Sequence, residues 1–151
     1  MYLYLNTADY KFMTLGLINI QGQVLYLEKI KAEYQQAEKL LLNLEKILLN
    51  QDKKWRLSLK GVIAVLGPGG FTSLRIGIAT ANALAWSLQI PICGVKLKFK
   101  EGIMPEKLQD GQLIGIGVTK LKKIKKFKQI LPFYGSGPHI TIKKRLDTQS
   151  L

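Results

Sequence analysis

The beginning of the chain alternates between apolar and polar positions in three short runs. Residues 2–7, 12–20 and 24–31 are rich in tyrosine, leucine and isoleucine and are bounded by turn residues, so each run predicts a β-strand. Gly22 lies between the second and third runs, in a segment that suits a hairpin turn. The pattern therefore predicts an antiparallel meander of three strands.

The period changes to that of a helix at residue 36. Apolar side chains recur at spacings of three and four over residues 36–49, which predicts one apolar face packed on the meander. This face consists of Ala37, Leu40, Leu41, Leu44 and Leu48. Leu42 and Leu49 lie off the face, one helical repeat apart, and give the helix a second apolar stripe.

The next elements are more uniformly apolar. A continuous run at residues 62–66 predicts a strand that is covered on both faces and runs parallel to the first, and a short strand is expected at residues 92–95. The helix predicted between them, at residues 72–88, is apolar on all sides, with Arg75 as its only charged residue. One sheet covers one side of such a helix, so the other side requires a second helix layer or another subunit. Close helix approach is allowed by small residues repeated every fourth position, at Gly77, Ala81 and Ala85.

The patterns weaken beyond residue 96. Residues 113–118 predict a strand, and residues 119–131 predict a basic helix with one apolar face. Residues 132–138 begin and end with proline and cannot form a regular helix. A last short strand is predicted at residues 140–144.

Charge is distributed unevenly along the 151 residues. The net charge is +13, and the part from residue 96 onward carries 13 basic and 4 acidic side chains. Such a block suits an RNA or another anionic partner, although abundant lysine is also what an AT-biased coding sequence produces. For the six lysines between Lys120 and Lys128, three interpretations stay open: a solvated helix with one buried face, an RNA-contacting face, or a membrane-surface segment.

Several classes of protein are excluded by residue counts. The single cysteine, Cys93, rules out a disulfide framework and a cysteine-based zinc site. The single histidine, His139, leaves one candidate for any catalytic triad, so neither catalytic residues nor a metal or cofactor is assigned. No secretory leader is visible, and the uncharged residues 76–95 contain too many polar residues for a spanning helix. We therefore expect a cytoplasmic protein with no membrane association.

The most specific segment is Gly-Pro-Gly-Gly-Phe-Thr-Ser-Leu-Arg-Ile-Gly, at residues 67–77. A strand, a glycine-rich turn and a helix N-terminus suit phosphate binding, but the lysine of a P-loop is missing. The turn either docks the helix against the sheet or binds an anion, and Gly69 or Gly70 is expected to require a positive φ. The residues expected to matter are Gly67, Pro68, Gly69, Gly70, Phe71, Thr72 and Arg75.

This segment resembles the hallmark of the TsaB (YeaZ) family, Gly-Pro-Gly-Ser-Phe-Thr-Gly-Leu-Arg-Ile-Gly. Nine of eleven positions agree; Gly70 replaces the serine and Ser73 replaces the later glycine. Residues 78–81 and 90–95 also resemble the family, and the resemblance covers about residues 1–95.

The resemblance implies an α/β fold, namely a ribonuclease-H-like half of the actin/Hsp70-like (ASKHA) fold with a mixed sheet and helices. It divides the chain into an N-terminal domain at residues 1–96 and a reduced basic C-terminal subdomain at residues 97–151. In that superfamily an aspartate usually ends the first strand and serves metal–phosphate chemistry. Asn6 stands there in this chain, and a neutral amide cannot supply the charge that Mg²⁺ requires.

The resemblance also implies a function, that of a non-catalytic scaffold subunit in the synthesis of threonylcarbamoyladenosine in tRNA. Such a subunit pairs with and activates a TsaD-like threonylcarbamoyltransferase, with a TsaE-like ATPase nearby, while self-association and weak or indirect tRNA contact stay open. The expected partner interface comprises Leu42, Leu49, Gly77, Ala81 and Ala85. Two alternatives are a free-standing RNA-binding protein that uses the basic C-terminal part, and a TsaB-like protease or glycoprotease.

Overall fold

A five-stranded mixed sheet organises the chain in the computed structural model, which describes residues 1–98 and 106–135, with the side chains of residues 106–108 excepted. The elements in chain order are β1 (Tyr2–Asn6), β2 (Phe12–Ile18), β3 (Val24–Lys31), α1 (Gln36–Gln51), α2 (Trp55–Ser58), β4 (Gly61–Gly67), α3 (Phe71–Ser87), β5 (Ile92–Lys96) and α4 (Glu106–Leu121). The predicted strands and helices up to residue 96 are therefore confirmed, with small shifts at their ends.

The strand order is β3-β2-β1-β4-β5. The first three strands form the predicted antiparallel meander, and β4 pairs with β1 in parallel, as its apolar run indicated. β5 extends the parallel part on the other side of β4. The chain thus has the expected α/β architecture, a ribonuclease-H-like mixed sheet with helices.

The two faces of the sheet are covered by different helices. Leu3 and Leu5 of β1 point into the core beneath α1 and α3, whereas Tyr4 and Ile63 belong to the core that α4 covers. Both β1 and β4 are buried on both faces, which explains why their sequences are apolar without interruption. The α4 helix packs on β4, β5 and β1. The division of the chain at residues 96 and 97 stays a prediction.

The apolar face of α1 differs from the predicted one. Leu40, Leu44 and Leu48 are buried as expected, together with Ile47, but Leu41 is 62% exposed and Ala37 is also exposed. Successive helical residues are about 100° apart, so Leu41 lies to one side of the row formed by Leu40, Leu44 and Leu48. The apolar residues of α1 therefore span a wider part of the helix surface than the part that is buried against the core.

Two predictions beyond residue 96 are wrong. The strand at residues 113–118 is part of α4, because its apolar residues fit one helical face that the sheet buries. The basic helix at residues 119–131 is also wrong: α4 ends at Leu121, and residues 124–135 contain no helix. The non-helical state of residues 132–135 agrees with the prediction. His139 and the strand predicted at residues 140–144 lie outside the described residues.

The uncharged segment at residues 76–95 is divided between α3, a turn and β5. Within the described ranges, none of the helices combines the length and the apolar character needed to cross a membrane.

The docking of α3 on β1 requires a residue without a side chain. Gly77 is buried, and a β-carbon there would lie 2.0 Å from Thr7 Oγ1. Thr7 follows β1 directly and is itself buried, so it has little room to move. The contact sets the distance between the helix and the sheet.

We expect Gly77→Ala to lower the free energy of unfolding by more than about 1 kcal/mol, since helix or strand must shift. Gly115→Ala in α4 is the matched control, because a β-carbon there meets nothing within 4 Å. That control should stabilise the protein by about 0.5–1 kcal/mol, as alanine is the better helix former. Urea unfolding of both variants checks the prediction, and equal effects of the two substitutions would contradict it.

Candidate functional site

The glycine loop after β4 is fixed by contacts between backbones. The Gly70 N–H donates to the Ala8 carbonyl at 2.9 Å, and a β-carbon at Gly69 would lie 2.2 Å from the same oxygen. A β-carbon at Gly67 would lie 2.4 Å from the Phe133 carbonyl oxygen. The loop therefore sits between the segment after β1 and the C-terminal part of the chain, and its glycines make room for both.

The prediction that Gly69 or Gly70 requires a positive φ is wrong. Gly67 has the positive φ, +111°, while Gly70 has a φ of −60°. Gly69 is needed for its close approach to Ala8 rather than for its backbone conformation. These contacts favour the docking interpretation of the loop over the anion site, because the Gly70 amide is already bonded to protein.

Three side chains form an aromatic and basic cluster at the start of α3. The Arg75 guanidinium lies 4.1 Å from the centre of the Phe71 ring, and its Nε donates to the Tyr134 hydroxyl at 3.1 Å. The Phe71 and Tyr134 rings are 4.6 Å apart. Pro68 lines a cleft next to this loop, and Thr72 is exposed. The motif residues therefore bind the C-terminal segment to α3.

Ser73 offers no support for a hydrolase. It is buried, and its hydroxyl donates to the Gly70 carbonyl at 3.1 Å. Its hydroxyl is therefore bonded to the backbone of the first turn of α3 rather than to a general base.

A cleft of about 320 Å³ lies at the end of β1 and contains a hydrogen-bonded group that joins β1 to α4. The Tyr4 hydroxyl and the Asn6 amide both donate to Asp110 Oδ1, at 2.5 and 2.9 Å. The Asn6 oxygen accepts from the Ala8 N–H at 3.1 Å. Burial, and then the adjacent Asp110 charge, raise the pKa of Tyr4 well above its usual value, so Tyr4 stays a neutral donor.

This arrangement defines what Asn6 does in place of an acid. Its amide donates to the Asp110 carboxylate and its oxygen is occupied by backbone, so the side chain stabilises structure and brings no charge for a cation. The sequence pattern gave no sign of Asp110, because nothing local indicates that α4 brings it to β1.

Reactive side chains are sparse in the described part of the chain. There, no three or more His, Cys, Asp and Glu side chains come together as a set that could hold a metal ion. Cys93 is buried beneath α4, and burial raises the pKa of its thiol to about 11, against a smaller opposite effect of Lys120. At neutral pH this thiol is protonated and therefore a poor nucleophile.

A large apolar surface lies on the side of α1 and α3 that faces away from the sheet. We call it the outer helix face; it comprises Leu41, Leu42, Leu49, Ala79, Ala83 and Trp86. Leu42 is 68% exposed and Trp86 is 62% exposed. A groove of about 760 Å³ runs between the helices and is lined by Leu41, Ala79 and Ala83 of this face, with Trp55 at its base. Trp55 is buried, so the two tryptophans have different roles.

The structure exposes some of the residues predicted for a partner interface and buries the others. Leu42 and Leu49 are exposed on α1, as an interface requires. Gly77, Ala81 and Ala85 instead face the sheet and are buried within the chain. Their four-residue repeat serves the docking of α3 on the sheet, and the exposed residues of α3 occupy the opposite side of the helix.

The chain is similar to known proteins over part of its length. Residues 30–97 match the family model described as TsaD: tRNA N6-adenosine threonylcarbamoyltransferase. The tRNA threonylcarbamoyladenosine biosynthesis protein TsaB of Bacillus subtilis (strain 168) is 44% identical over 48 residues, which are 32% of this chain and 21% of that protein. The structure of YeaZ from Pseudomonas aeruginosa aligns with a TM-score of 0.54 and 25% identity, over 63% of this chain and 43% of the other.

Over the matched residues the chain is similar to members of the TsaB (YeaZ) family. A second structure, an uncharacterized protein with similarity to peptidase YEAZ from Pseudomonas aeruginosa, shares the fold with a TM-score of 0.53 and 24% identity. It covers 63% of this chain and 42% of the other. The alignments therefore span about a fifth of the B. subtilis relative and less than half of the solved structures.

The buried thiol makes stability depend on pH in a predictable direction. The pKa of Cys93 is higher in the folded protein than in the unfolded chain. The buried thiol's contribution to the free energy of unfolding is therefore fully present below the pKa of the unfolded chain, and it is lost as pH rises toward 11. Between about pH 9 and pH 11 the wild type should lose up to about 2 kcal/mol more than Cys93→Ala. Urea unfolding of both proteins across this range provides the measurement; parallel pH curves would show that the thiol does not titrate in this way.

Proposed function

We propose that the chain is a non-catalytic subunit in the synthesis of threonylcarbamoyladenosine in tRNA. It pairs with and activates a TsaD-like threonylcarbamoyltransferase, and the outer helix face is its contact surface. The family model is described by that transferase activity and the B. subtilis relative is named for the same modification, which supports this proposal. A role on tRNA also implies a cytoplasmic protein.

The observation that carries the proposal is the exposure of the outer helix face. Burying one leucine contributes roughly 1.5–3 kcal/mol, so the exposed Leu41 and Leu42 represent binding energy that a monomer does not use. The groove between α1 and α3 is concave and mostly apolar, which suits an amphipathic helix of a partner. Glu45 and Arg56 line the groove as well and would give such a helix an orientation.

A structural rather than catalytic role is supported by the end of β1. The Asn6 amide is committed to Asp110 and Ala8, and Asp110 Oδ1 already accepts two hydrogen bonds. These groups hold β1 against α4. In this proposal the TsaD-like partner carries out the transfer reaction. The TsaE-like ATPase included in the proposal rests on the family resemblance alone, and self-association would use the same helix face when the transferase is absent.

We expect Leu42→Glu to weaken pairing with the TsaD-like protein by at least a hundredfold, because a buried unpaired charge adds to the loss of apolar burial. Ile20→Glu is the control: Ile20 is 50% exposed and lies in the hairpin after β2, away from the outer helix face. Titration calorimetry and mass measurement by light scattering would report the pairing of both variants.

Both substitutions affect exposed residues, so circular dichroism should show the same folded state as the wild type. A folded Leu42→Glu variant that pairs as tightly as the Ile20→Glu control would contradict the interface. Leu49→Glu, at the other end of α1, provides an independent second variant.

The chain alone should release no phosphate from ATP and Mg²⁺ above the rate of the buffer. The reason is that Asn6 supplies an amide where metal–phosphate chemistry needs a carboxylate. A coupled phosphate assay on the purified chain makes the measurement. Release that disappears in an Asn6→Ala variant with an unchanged melting temperature would contradict the non-catalytic role.

A further inference from the structure

The segment that follows α4 crosses from one face of the sheet to the other. We call residues 122–134 the lysine strap. Ile124 packs against the core beneath α4, whereas Phe127 and Ile130 pack against the core beneath α1 and α3. Ile124, Phe127 and Ile130 are thus directed inward, and the strap contributes to both cores.

The strap is held in place by specific hydrogen bonds. The Asn82 side chain of α3 donates to the Ile130 carbonyl at 2.9 Å and accepts from the Ile130 N–H at 3.0 Å. Further along, the Phe133 N–H donates to the Leu66 carbonyl of β4 at 2.7 Å. A segment fixed in this way presents its exposed side chains with less loss of conformational entropy on binding.

Most of the exposed side chains of the strap are lysines. Residues 119–135 contain six lysines and no acidic residue. Those on the strap are exposed or half-buried at its surface: Lys122, Lys123, Lys125, Lys126 and Lys128. Lys96 and Lys98 are exposed beside the far end of the strap, where the Lys96 ammonium lies 4.1 Å from the centre of the Phe133 ring. The result is a run of five exposed lysines on the strap, with Lys96 over an aromatic ring at its far end.

We propose that the lysine strap binds the phosphate backbone of RNA. A row of lysines without interspersed carboxylates neutralises successive phosphates and releases their counterions, which favours a polyanion over a single acidic group. A membrane surface fits less well, because amphipathic membrane segments insert their apolar side chains, and Phe127 and Ile130 are occupied by the core. Lys120, which precedes the strap, donates to the Gly94 carbonyl and is not part of the proposed surface.

The position of the strap relates it to the proposed partner surface. Asn82 holds the strap from α3, and its neighbours Ala83 and Trp86 belong to the outer helix face. An RNA held by a protein on that face could extend onto the strap. This step, and the choice of tRNA as the probe, rest on the proposed function; the charge and geometry of the strap do not.

The test compares tRNA binding by the full-length chain and by three variants with fluorescence anisotropy at several salt concentrations. The strap variant combines Lys122→Gln, Lys123→Gln, Lys125→Gln and Lys126→Gln. The control removes the same charge from exposed lysines elsewhere, by Lys31→Gln, Lys46→Gln, Lys53→Gln and Lys54→Gln. The third variant replaces the same strap lysines with arginine.

The strap variant should bind tRNA on the order of ten- to a hundredfold more weakly, with a salt slope shallower by about 0.7–0.9 for each phosphate that is no longer neutralised. The control and the arginine variant should stay within about threefold of the wild type. Equal weakening in the strap variant and the control would show that net charge alone acts, and unchanged binding in both would also overturn the proposal.

Two further probes test the class of ligand. Duplex DNA bound more tightly than tRNA at the same salt would overturn the assignment to RNA. Vesicles of phosphatidylserine and phosphatidylcholine bound more tightly than tRNA would overturn it as well and assign the strap to lipid headgroups, with the exposed Leu131 as the inserted residue. Pairing of the strap variant with the TsaD-like protein is measured in parallel, so a failure of RNA binding and a failure of the proposed function are distinguishable.

Discussion

The close approach of backbones at the end of β1 is the constraint on which the rest of the structure depends. Gly77 brings α3 against Thr7, and Gly69 brings the loop against the Ala8 carbonyl. With the inner side of α3 held this close to the sheet, Ala81 and Ala85 are buried beside Ile78, and Trp86 is left on the exposed side. The exposed apolar surface follows from that placement, since a helix apolar on all sides can bury only one of them in a single sheet.

The same constraint explains why the motif and the proposed partner surface are different parts of the molecule. The conspicuous sequence of the glycine loop shapes the interior: its residues contact Ala8, Phe133 and Tyr134. The surface that suits a partner is formed by ordinary leucines and alanines and by Trp86, which carry no motif. The glycine loop therefore serves the interior, whereas the exposed apolar side chains available to a partner lie on α1 and α3.

The strands of the sheet and the two long helices α1 and α3 could be predicted, because each depends on local periodicity. The parallel pairing of β4 with β1 followed from an uninterrupted apolar run.

The predictions that failed depended on contacts between residues far apart in the sequence. Residues 122–130 have the spacing of a helix, but Asn82 bonds both backbone groups of Ile130, and residues 124–130 contain no helix. Asp110 was missed for the same reason, since only the packing of α4 brings it to Tyr4 and Asn6. The prediction for Gly77, Ala81 and Ala85 was right that these small residues allow close packing. It assigned them to a partner interface, whereas they face the sheet.

The bond between Tyr4 and Asp110 has a consequence for how the chain reaches this structure. It joins residues 106 positions apart, so the second face of the sheet is completed only when nearly all of the described chain has been synthesised. Until α4 arrives, Ile63 and Val65 of β4 and Cys93 of β5 have no cover on that side. Long-range closure of this kind slows folding and leaves an apolar surface open to other nascent chains. The ribosome-bound N-terminal part is therefore the form of this protein most exposed to aggregation, and its need for chaperones should end when α4 docks.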